Sequence, residues 1–406
     1  MGGELAMIIQ PQLLDFTKPR PSWGASRRGF LHFGKKPGRQ DIRRGSQTIN
    51  VFPGEDIQAT IDSISAGTIF LKAGTHKPGN NYIDGKSNVT IKGEATGATI
   101  VDFENNPAGF RFVGSNSHSA GTVSISNGGV AITGVSTAFT SAMVGRDILL
   151  DGIWYPISSF TNATSISIGL PYASETLSGA SYRIATTIES PKIFDLTIKN
   201  SAVAGIKAQY SNEFFLNDVQ VQQCTVGLDI DDSSNVGIDE YDGVLNTDDI
   251  QIDNTYLFYL HSVGGIDTTN HGLALTDCKY ADLRAIFMEN CGGAGYKFTR
   301  CSDIGKKTLL AISCGADGFE YVSGNTYMVL QASEARACAL RGIKVTDSTD
   351  YCTFLGVQLI NNLGTSMAIL NANCDKNEYD HIVAVGNGVD AVENLGTATT
   401  AGTVRT

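Results

Sequence analysis

The sequence has little charge and lacks long apolar runs. Charged residues make up 17% of its 406 positions, well below the share typical of soluble domains. No segment approaches the ~20 apolar residues of a membrane helix. The formal net charge is −11, which argues against wholesale nucleic-acid binding. We therefore expect neither a membrane span nor a nucleic-acid partner.

Cysteine and histidine are too sparse and too scattered to form the usual metal or disulfide patterns. The eight cysteines include no CxxC pair, and the six histidines include no HxxxH pair. Eight cysteines in a chain of this length are also fewer than a disulfide scaffold needs. We expect no metal site and no cofactor.

The N-terminal region differs in charge from the rest. It begins MGGELAMIIQPQLLDF, with an early Glu4 and no basic start, so it predicts no export signal. Residues 1–46 hold nine lysines and arginines against three acidic residues, a net charge of +6 that leaves −17 for the remainder. We interpret residues 1–48 as an extended basic anchoring arm that orders on a partner; a solvated flexible tail is the alternative.

Glycine is plentiful, at 45 residues, and it marks a repeat. A Gly–apolar–x–apolar pattern recurs with intervals of 22, 22, 23, 23, 23, 24 and 24 residues, starting at Gly205, Gly227, Asp249, Gly272, Gly295, Gly318, Gly342 and Ser366. This spacing is typical of solenoids built on short strands. The leucine-rich-repeat pattern is absent, and no repeat contains a predicted helix.

Alternation within the repeat predicts which side chains face inward. The residues one and three places after the repeat position are mostly apolar and should stack from coil to coil. The residue between them should face solvent, with Lys297, Glu320 and Lys344 forming a ladder of alternating charge. Cys291, Cys314 and Cys338 each precede a repeat position by four residues, so we expect them to stack as reduced thiols.

Residues 49–103 carry the signature of a solenoid cap. Ile57, Ile61 and Ile64 have helical spacing, and a strand, an AGTH turn and the segment NVTIKGEA follow. This segment resembles the N-terminal cap of pectate-lyase-like proteins, and the coils to about residue 394 extend the resemblance. It implies an all-β fold, a right-handed parallel β-helix with a capping helix. Proteins of this superfamily include pectate lyases, polygalacturonases, epimerases and phage tailspikes.

The resemblance also divides the chain into parts. We expect a cap and first coils at 49–114, a small inserted β-domain at 115–187, further coils at 188–396 and a C-terminal tail at 397–406. The insertion has short alternating strands between Gly/Asn/Ser turns and resembles a β-module of phage structural proteins. Its Trp154 and Tyr155, together with Tyr241, are candidate sugar-binding residues. The alternative is that such rings fill a core.

An acidic run offers candidates for acid–base chemistry. Asp239, Glu240, Asp242 and Asp248 are candidate catalytic residues for a polysaccharide-cleaving enzyme, or else acidic turn residues. The polygalacturonase pattern fits poorly. Asn246-Thr-Asp-Asp249 fuses two of its elements, Asn270-His-Gly272 lacks a glycine, and Arg341-Gly-Ile-Lys344 falls on the repeat turn. The catalytic residues therefore remain unassigned.

These observations favour a phage or prophage-like virion protein, such as a tail spike, fibre or head decoration. Residues 1–46 would contact other virion proteins, and the β-helix would bind host-surface polysaccharide. The resemblance implies a homotrimer, located in the virion after assembly in the host cytoplasm; a secreted protein is the alternative. The main rival function is a polysaccharide hydrolase or lyase, and a third possibility is a structural β-helix without a glycan ligand.

Overall fold

The chain forms the β-helix that the repeat predicts. The structure, a computed structural model, describes residues 47–370, 373–374, 376–394, 400–401 and 404–405. Of the basic arm predicted at 1–48, residues 1–46 lie outside the described residues, and Thr48 begins the first strand. Leu228 pairs with Ile250, and Ile250 with Leu273, so successive turns contain 22 and 23 residues. The prediction of a right-handed parallel β-helix is confirmed.

One side of the helix, called wall 1 here, is a parallel sheet of eleven strands built on the repeat pattern. Its strands are Ile83–Asp84, Phe110–Val113, Ala204–Gln209, Val226–Asp231, Asp248–Asp253, Leu273–Thr276, Tyr296–Thr299, Phe319–Val322, Ile343–Val345, Thr365–Ile369 and Val389–Asn394.

A second parallel sheet supplies the other two sides. Its long strands bend at a residue with positive φ, for example Glu240 (52°), Ser262 (55°) and Ala285 (51°). The part before the bend is called wall 2 and the part after it wall 3. The long strands are Lys192–Ser201, Phe215–Gln222, Ser234–Val244, Tyr256–Ile266, Lys279–Glu289 and Ser302–Ile312.

Further strands complete this sheet, most of them toward the two ends of the stack. They are Thr48–Val51, Gly67–Leu71, Gly74–His76, Val89–Lys92, Thr99–Asn106, Ile188–Glu189, Ser211–Asn212, Val329–Gln331, Glu334–Arg336, Thr353–Leu355, Gln358–Ile360, Glu378–Asp380, Ile382–Val385, Thr400–Ala401 and Val404–Arg405. The last two lie in the segment expected to be a tail, where they pair in parallel with the preceding coil.

The inward columns of wall 1 are buried as predicted. The two columns have no exposed surface and consist of Ile206, Leu228, Ile250, Leu273, Tyr296, Phe319 and Ile343, and of Ala208, Ile230, Ile252, Leu275, Phe298, Tyr321 and Val345. In the outward column Lys344 pairs with Glu320 at 2.7 Å, as the ladder predicts. Burial of these apolar columns, at ~25 cal/mol per Å², is the main force that holds coil on coil.

The predicted capping helix spans Ile57–Asp62. Asp56 caps its N-terminus, because its carboxylate accepts a hydrogen bond from the Ala59 amide at 3.0 Å. Ile57 and Ile61 are buried against the first coils.

In the described part of the chain, no helix is long and apolar enough to cross a membrane.

The predicted insertion is antiparallel. Its strands are Ser115–His118, Thr122–Ile125, Ala131–Val135, Asp147–Leu150, Ile153–Asn162, Ser165–Ile168, Leu177–Ala180 and Arg183–Thr186, with a 3₁₀ turn at Ser141–Met143. Ala120–Gly145 and Pro156–Tyr182 form a compact unit of their own, whereas Arg146–Tyr155 belongs to the unit that contains the coils. The boundaries 115–187 stay a prediction.

Buried polar turns lock neighbouring coils together. All eight cysteines are free and buried, and Cys314 contacts both Cys291 and Cys338 through their thiols, which confirms the predicted stack. A further pattern was not predicted: the backbone N–H of Cys301 donates to the side chain of Asn325 one coil later at 3.0 Å. The pairs Cys224–Asn246, Cys338–Asn362 and Cys352–Asn377 repeat it. These bonds satisfy backbone donors that water cannot reach.

One inward position holds a lysine. Lys306 is fully buried in the wall 2 column beside Leu283 and Leu330, and its amine has no hydrogen-bond partner among the described residues. The Nζ atom lies 4.3 Å from the ring centre of Phe298 and 4.8 Å from that of Tyr321. Burial lowers the pKa of Lys306 to about 7, because two ring faces do not replace lost hydration.

Replacing Lys306 with methionine should stabilise the protein in a pH-dependent manner. Between about pH 7 and pH 10.5 the unfolded chain holds this proton and the folded chain does not, so the wild type gains stability as pH rises. We expect Lys306→Met to be more stable by ~2–4 kcal/mol near pH 7, with the difference shrinking toward pH 10. Denaturant unfolding across this range measures it.

Lys307→Met is the matched control, because Lys307 is the next residue along and is exposed. Its unfolding free energy should stay within ~0.5 kcal/mol of the wild type at every pH. Parallel stability curves for the wild type and Lys306→Met would contradict the assignment of a neutral buried amine.

Candidate functional site

The three aromatic candidates from the sequence lie in the core. Tyr241 has no exposed surface, Tyr155 is 3% exposed and Trp154 is 8% exposed. A ring without an exposed face cannot stack on a sugar, so the structure does not support the expected sugar-binding role. The alternative reading of core-filling rings fits their positions.

Tyr241 instead belongs to a buried polar network. Its hydroxyl donates to the carboxylate of Asp249 at 3.0 Å, and the side-chain amide of Asn246 donates to the same oxygen at 2.9 Å. Asp249 stands where most coils have the repeat glycine. A side chain at Gly243 or Gly265 would collide with its carboxylate, so these two glycines make room for it. Complete burial raises the pKa of Asp249 to about 7.

The acidic candidates are separated by the folding of the coil. Asp239 faces outward on wall 2, Glu240 occupies the bend, and Asp242 lies just beyond it on wall 3. Asp248 is on wall 1, where its carboxylate accepts hydrogen bonds from the Asn270 side chain at 2.8 Å and the His271 amide at 3.2 Å. Three of the four candidates therefore share one corner, and Asp248 has a structural role in a turn.

Asp239 also belongs to a group of polar side chains on the outer face of wall 2. This group is called the wall 2 polar cluster. It consists of Asp239, Tyr259, His261, Asp282 and Arg284, which occupy neighbouring outward positions on three successive strands. The rings of Tyr259 and His261 are 4.8 Å apart. Asp282 holds Arg284 through two contacts and lies 3.8 Å from the His261 imidazole.

The cluster combines groups that can bind or transform a sugar. Its carboxylates accept hydrogen bonds from hydroxyls, and its guanidinium, imidazole and phenol can donate them. Burial and the nearby charge of Asp239 raise the pKa of Tyr259. Beyond the bend, burial and the neighbouring carboxylate of Asp218 raise the pKa of Asp242. A carboxyl group shifted in this direction is a candidate general acid.

Two exposed tyrosines form a second surface that the sequence reading missed. Tyr327 and Tyr351 occupy equivalent corners of consecutive coils, stack with ring centres 5.0 Å apart, and are 46% and 40% exposed. The Lys376 amine lies over the Tyr351 ring at 4.6 Å. The signal that could have found this pair is its 24-residue separation, which equals the local repeat length.

In the described part of the chain, no group of three or more metal-ligating side chains is present.

Comparisons with known proteins give the fold. No protein-family profile matches the sequence, and neither does any curated protein. Among solved structures, the chain is similar to the catalytic domain of a GH87 alpha-1,3-glucanase in complex with tetrasaccharides, with 10% identity, a TM-score of 0.56 and coverage of 90% of this chain and 69% of that one.

Two further solved structures are similar to this chain with lower TM-scores. The mannuronan C-5 epimerase AlgE4 A-module of Azotobacter vinelandii is 14% identical, with a TM-score of 0.43 and coverage of 85% of this chain and 94% of that one. The tailspike gp61 of Pseudomonas phage phi297 is 12% identical, with a TM-score of 0.36 and coverage of 82% and 72%. The likeness to the glucanase domain, at 10% identity, shows the fold alone: this chain is a right-handed parallel β-helix.

Proposed function

We propose that the protein binds polysaccharide along the outside of its β-helix. The observation that carries the proposal is the exposed, stacked pair Tyr327 and Tyr351. Tyr351 is covered by Tyr327 on one face and by the Lys376 amine on the other, so Tyr327 supplies the ring face for a sugar and Tyr351 supports it from behind. A pyranose ring has an apolar face of C–H groups, and an exposed aromatic surface removes that face from water.

The wall 2 polar cluster supports the same proposal. A polysaccharide needs partners for its hydroxyl groups, and the cluster offers both acceptors and donors on a rigid sheet. Asp282 fixes Arg284 in place, so little side-chain entropy is lost when a sugar binds. The alpha-1,3-glucanase domain similar to this chain was solved with tetrasaccharides bound, so a β-helix of this kind can accommodate such ligands.

A role in host attachment by a phage-like virion is the finer part of the proposal. The basic residues of 1–46 would dock on acidic virion proteins, while the acidic coils would remain outside. Eight free, buried cysteines fit assembly in a reducing cytoplasm. Assembly as a homotrimer would present several copies of the glycan surface at once and raise avidity.

Polysaccharide cleavage is the second candidate function. It is favoured by Asp242, whose raised pKa results from burial and from the neighbouring carboxylate of Asp218. Most glycoside hydrolases use two carboxyl groups, one that donates a proton to the leaving oxygen and one that acts as base or nucleophile. Asp239 and Tyr259 lie on wall 2, before the same bend, whereas Asp242 lies on wall 3.

Removing both exposed tyrosines should weaken glycan binding. We expect Tyr327→Ala/Tyr351→Ala to lower affinity for the bound polysaccharide at least about tenfold, because the stacking surface is lost. Binding is measured on a panel of capsular, pectic and α-1,3-glucan polysaccharides. Phe52→Ala is the control, because Phe52 is a lone ring that is 53% exposed, and its affinity should not change. Failure of the wild type to bind any glycan of the panel would refute the proposal.

Deleting residues 1–46 should abolish incorporation into particles while the coils stay folded. Virions purified from a producing host are assayed for the protein by mass spectrometry. A shorter deletion of residues 1–17 is the control, because the basic residues of the segment all lie from Lys18 to Arg44 and remain. Normal incorporation of the 1–46 deletion would contradict the anchoring role.

If the protein is an enzyme, Asp242→Asn should abolish release of reducing ends or unsaturated products from the bound polysaccharide. The amide has the shape of the carboxyl group but cannot transfer its proton. Glu289→Gln, a change of the same kind elsewhere on wall 3, should leave the rate unchanged. Absence of any product from the wild-type protein on a polysaccharide that it binds would rule out cleavage of that polysaccharide.

A further inference from the structure

Wall 1 has a gap in its outward column. Long polar side chains occupy this column on both sides of one position, which holds Ala274. The result is a depression of about 190 Å³ over Ala274. Gln251 borders it on the preceding coil and Lys297 on the following coil. The space that a long side chain would fill is open to a ligand.

The tautomer of His271, at one end of the depression, follows from its hydrogen bonds. The backbone N–H of Ala294 donates to Nδ1 of His271 at 3.1 Å, so Nδ1 carries no proton. Burial and the charge of Lys297 lower the pKa of His271, so its ring is neutral near pH 7 and its proton is on Nε2. Asp248 stabilises the same turn, because its carboxylate accepts a hydrogen bond from the backbone N–H of His271.

Lys297 and His271 therefore face each other as two donors. The Lys297 amine lies 3.5 Å from Nε2 of His271, and an ammonium group has no lone pair to accept that proton. Within the described residues no carboxylate lies within 4.0 Å of Lys297, although Lys344 in the same column pairs with Glu320. Two converging donors beside an open space can share one acceptor, and an anionic oxygen pairs with both more strongly than water does.

The opposite end of the depression has a different character. Asp253, Thr276 and Thr299 line it, two residues further along the strands than Ala274 and Lys297. Burial raises the pKa of Asp253, and neighbouring carboxylates act in the same direction. Donors for an anion thus lie at one end, and groups that pair with hydroxyls lie at the other.

We propose that this depression binds an acidic sugar residue of a polysaccharide, with the sugar carboxylate held between Lys297 and His271. The hydroxyls of the same sugar pair with Gln251, Asp253 and the two threonines. This proposal rests on the proposed glycan-binding function and narrows it to acidic glycans. An acidic peptide would use the donor end only, whereas a uronate-type sugar uses both ends. The net charge of −11 gives no general attraction for anions, so recognition has to be local.

The test compares three probes by calorimetry: oligouronates made of galacturonate, glucuronate or mannuronate, neutral α-1,3-linked gluco-oligosaccharides of equal length, and poly-glutamate. We expect the protein to bind one of the oligouronates more tightly than the neutral probe and more tightly than poly-glutamate. Lys297→Met should weaken that binding about tenfold or more, because the methionine keeps the stem and loses the charge. Ala274→Gln should abolish it by filling the gap.

Lys344→Met is the matched control, because it removes the same charge from the same column at a paired position. Its oligouronate affinity should remain within about twofold of the wild type. Equal losses for Lys297→Met and Lys344→Met would overturn the proposal, as would tighter binding of poly-glutamate. Binding of the neutral probe without preference for any oligouronate would overturn this inference but leave the proposed function intact. Failure of every glycan to bind would overturn both.

Discussion

The structure depends on the stacking of equivalent positions from one coil to the next. Because the strands are parallel and in register, each inward side chain lies beside the residues 22 to 24 places before and after it in the sequence. A residue that departs from its column therefore needs compensation in adjacent coils. Asp249 illustrates this, since its carboxyl group occupies space that Gly243 and Gly265 leave free.

The same rule organises the outer surface. Outward residues also form columns, at the ~4.8 Å spacing of paired strands, so charges pair and rings stack between coils. Lys344 with Glu320 and Tyr327 with Tyr351 are two results of it. The gap at Ala274 is a third, because a small residue between two long ones leaves a depression. Candidate sites on this surface are thus places where a column is interrupted or unusually composed, rather than clefts between domains.

The sequence was sufficient to predict what the period controls. Coil length, both inward columns of wall 1 and the thiol stack of Cys291, Cys314 and Cys338 all follow from it. The capping helix was predicted separately, from the helical spacing of Ile57, Ile61 and Ile64 and from the resemblance to pectate-lyase-like caps. The bends of the second sheet did not, because ordinary residues such as Glu240 and Ser262 adopt positive φ there without a glycine to mark them. Without the bends, Asp239 and Asp242 could not be assigned to different walls, nor could Tyr241 be recognised as inward. The wall 2 polar cluster went unnoticed because its members come from three coils.

Asp249 and Lys306 show how far the solenoid tolerates buried ionisable groups. The carboxylate of Asp249 accepts two hydrogen bonds and occupies the space that two glycines leave free. Among the described residues, the amine of Lys306 contacts only the ring faces of Phe298 and Tyr321. Both groups have a pKa of about 7. The carboxyl group of Asp249 is therefore charged mainly above pH 7, and the amine of Lys306 is charged mainly below it. Each coil contacts only its neighbours, so the cost of either group falls on two or three coils. The remaining apolar columns are unaffected, which is why a long stack can carry such residues where a small domain could not.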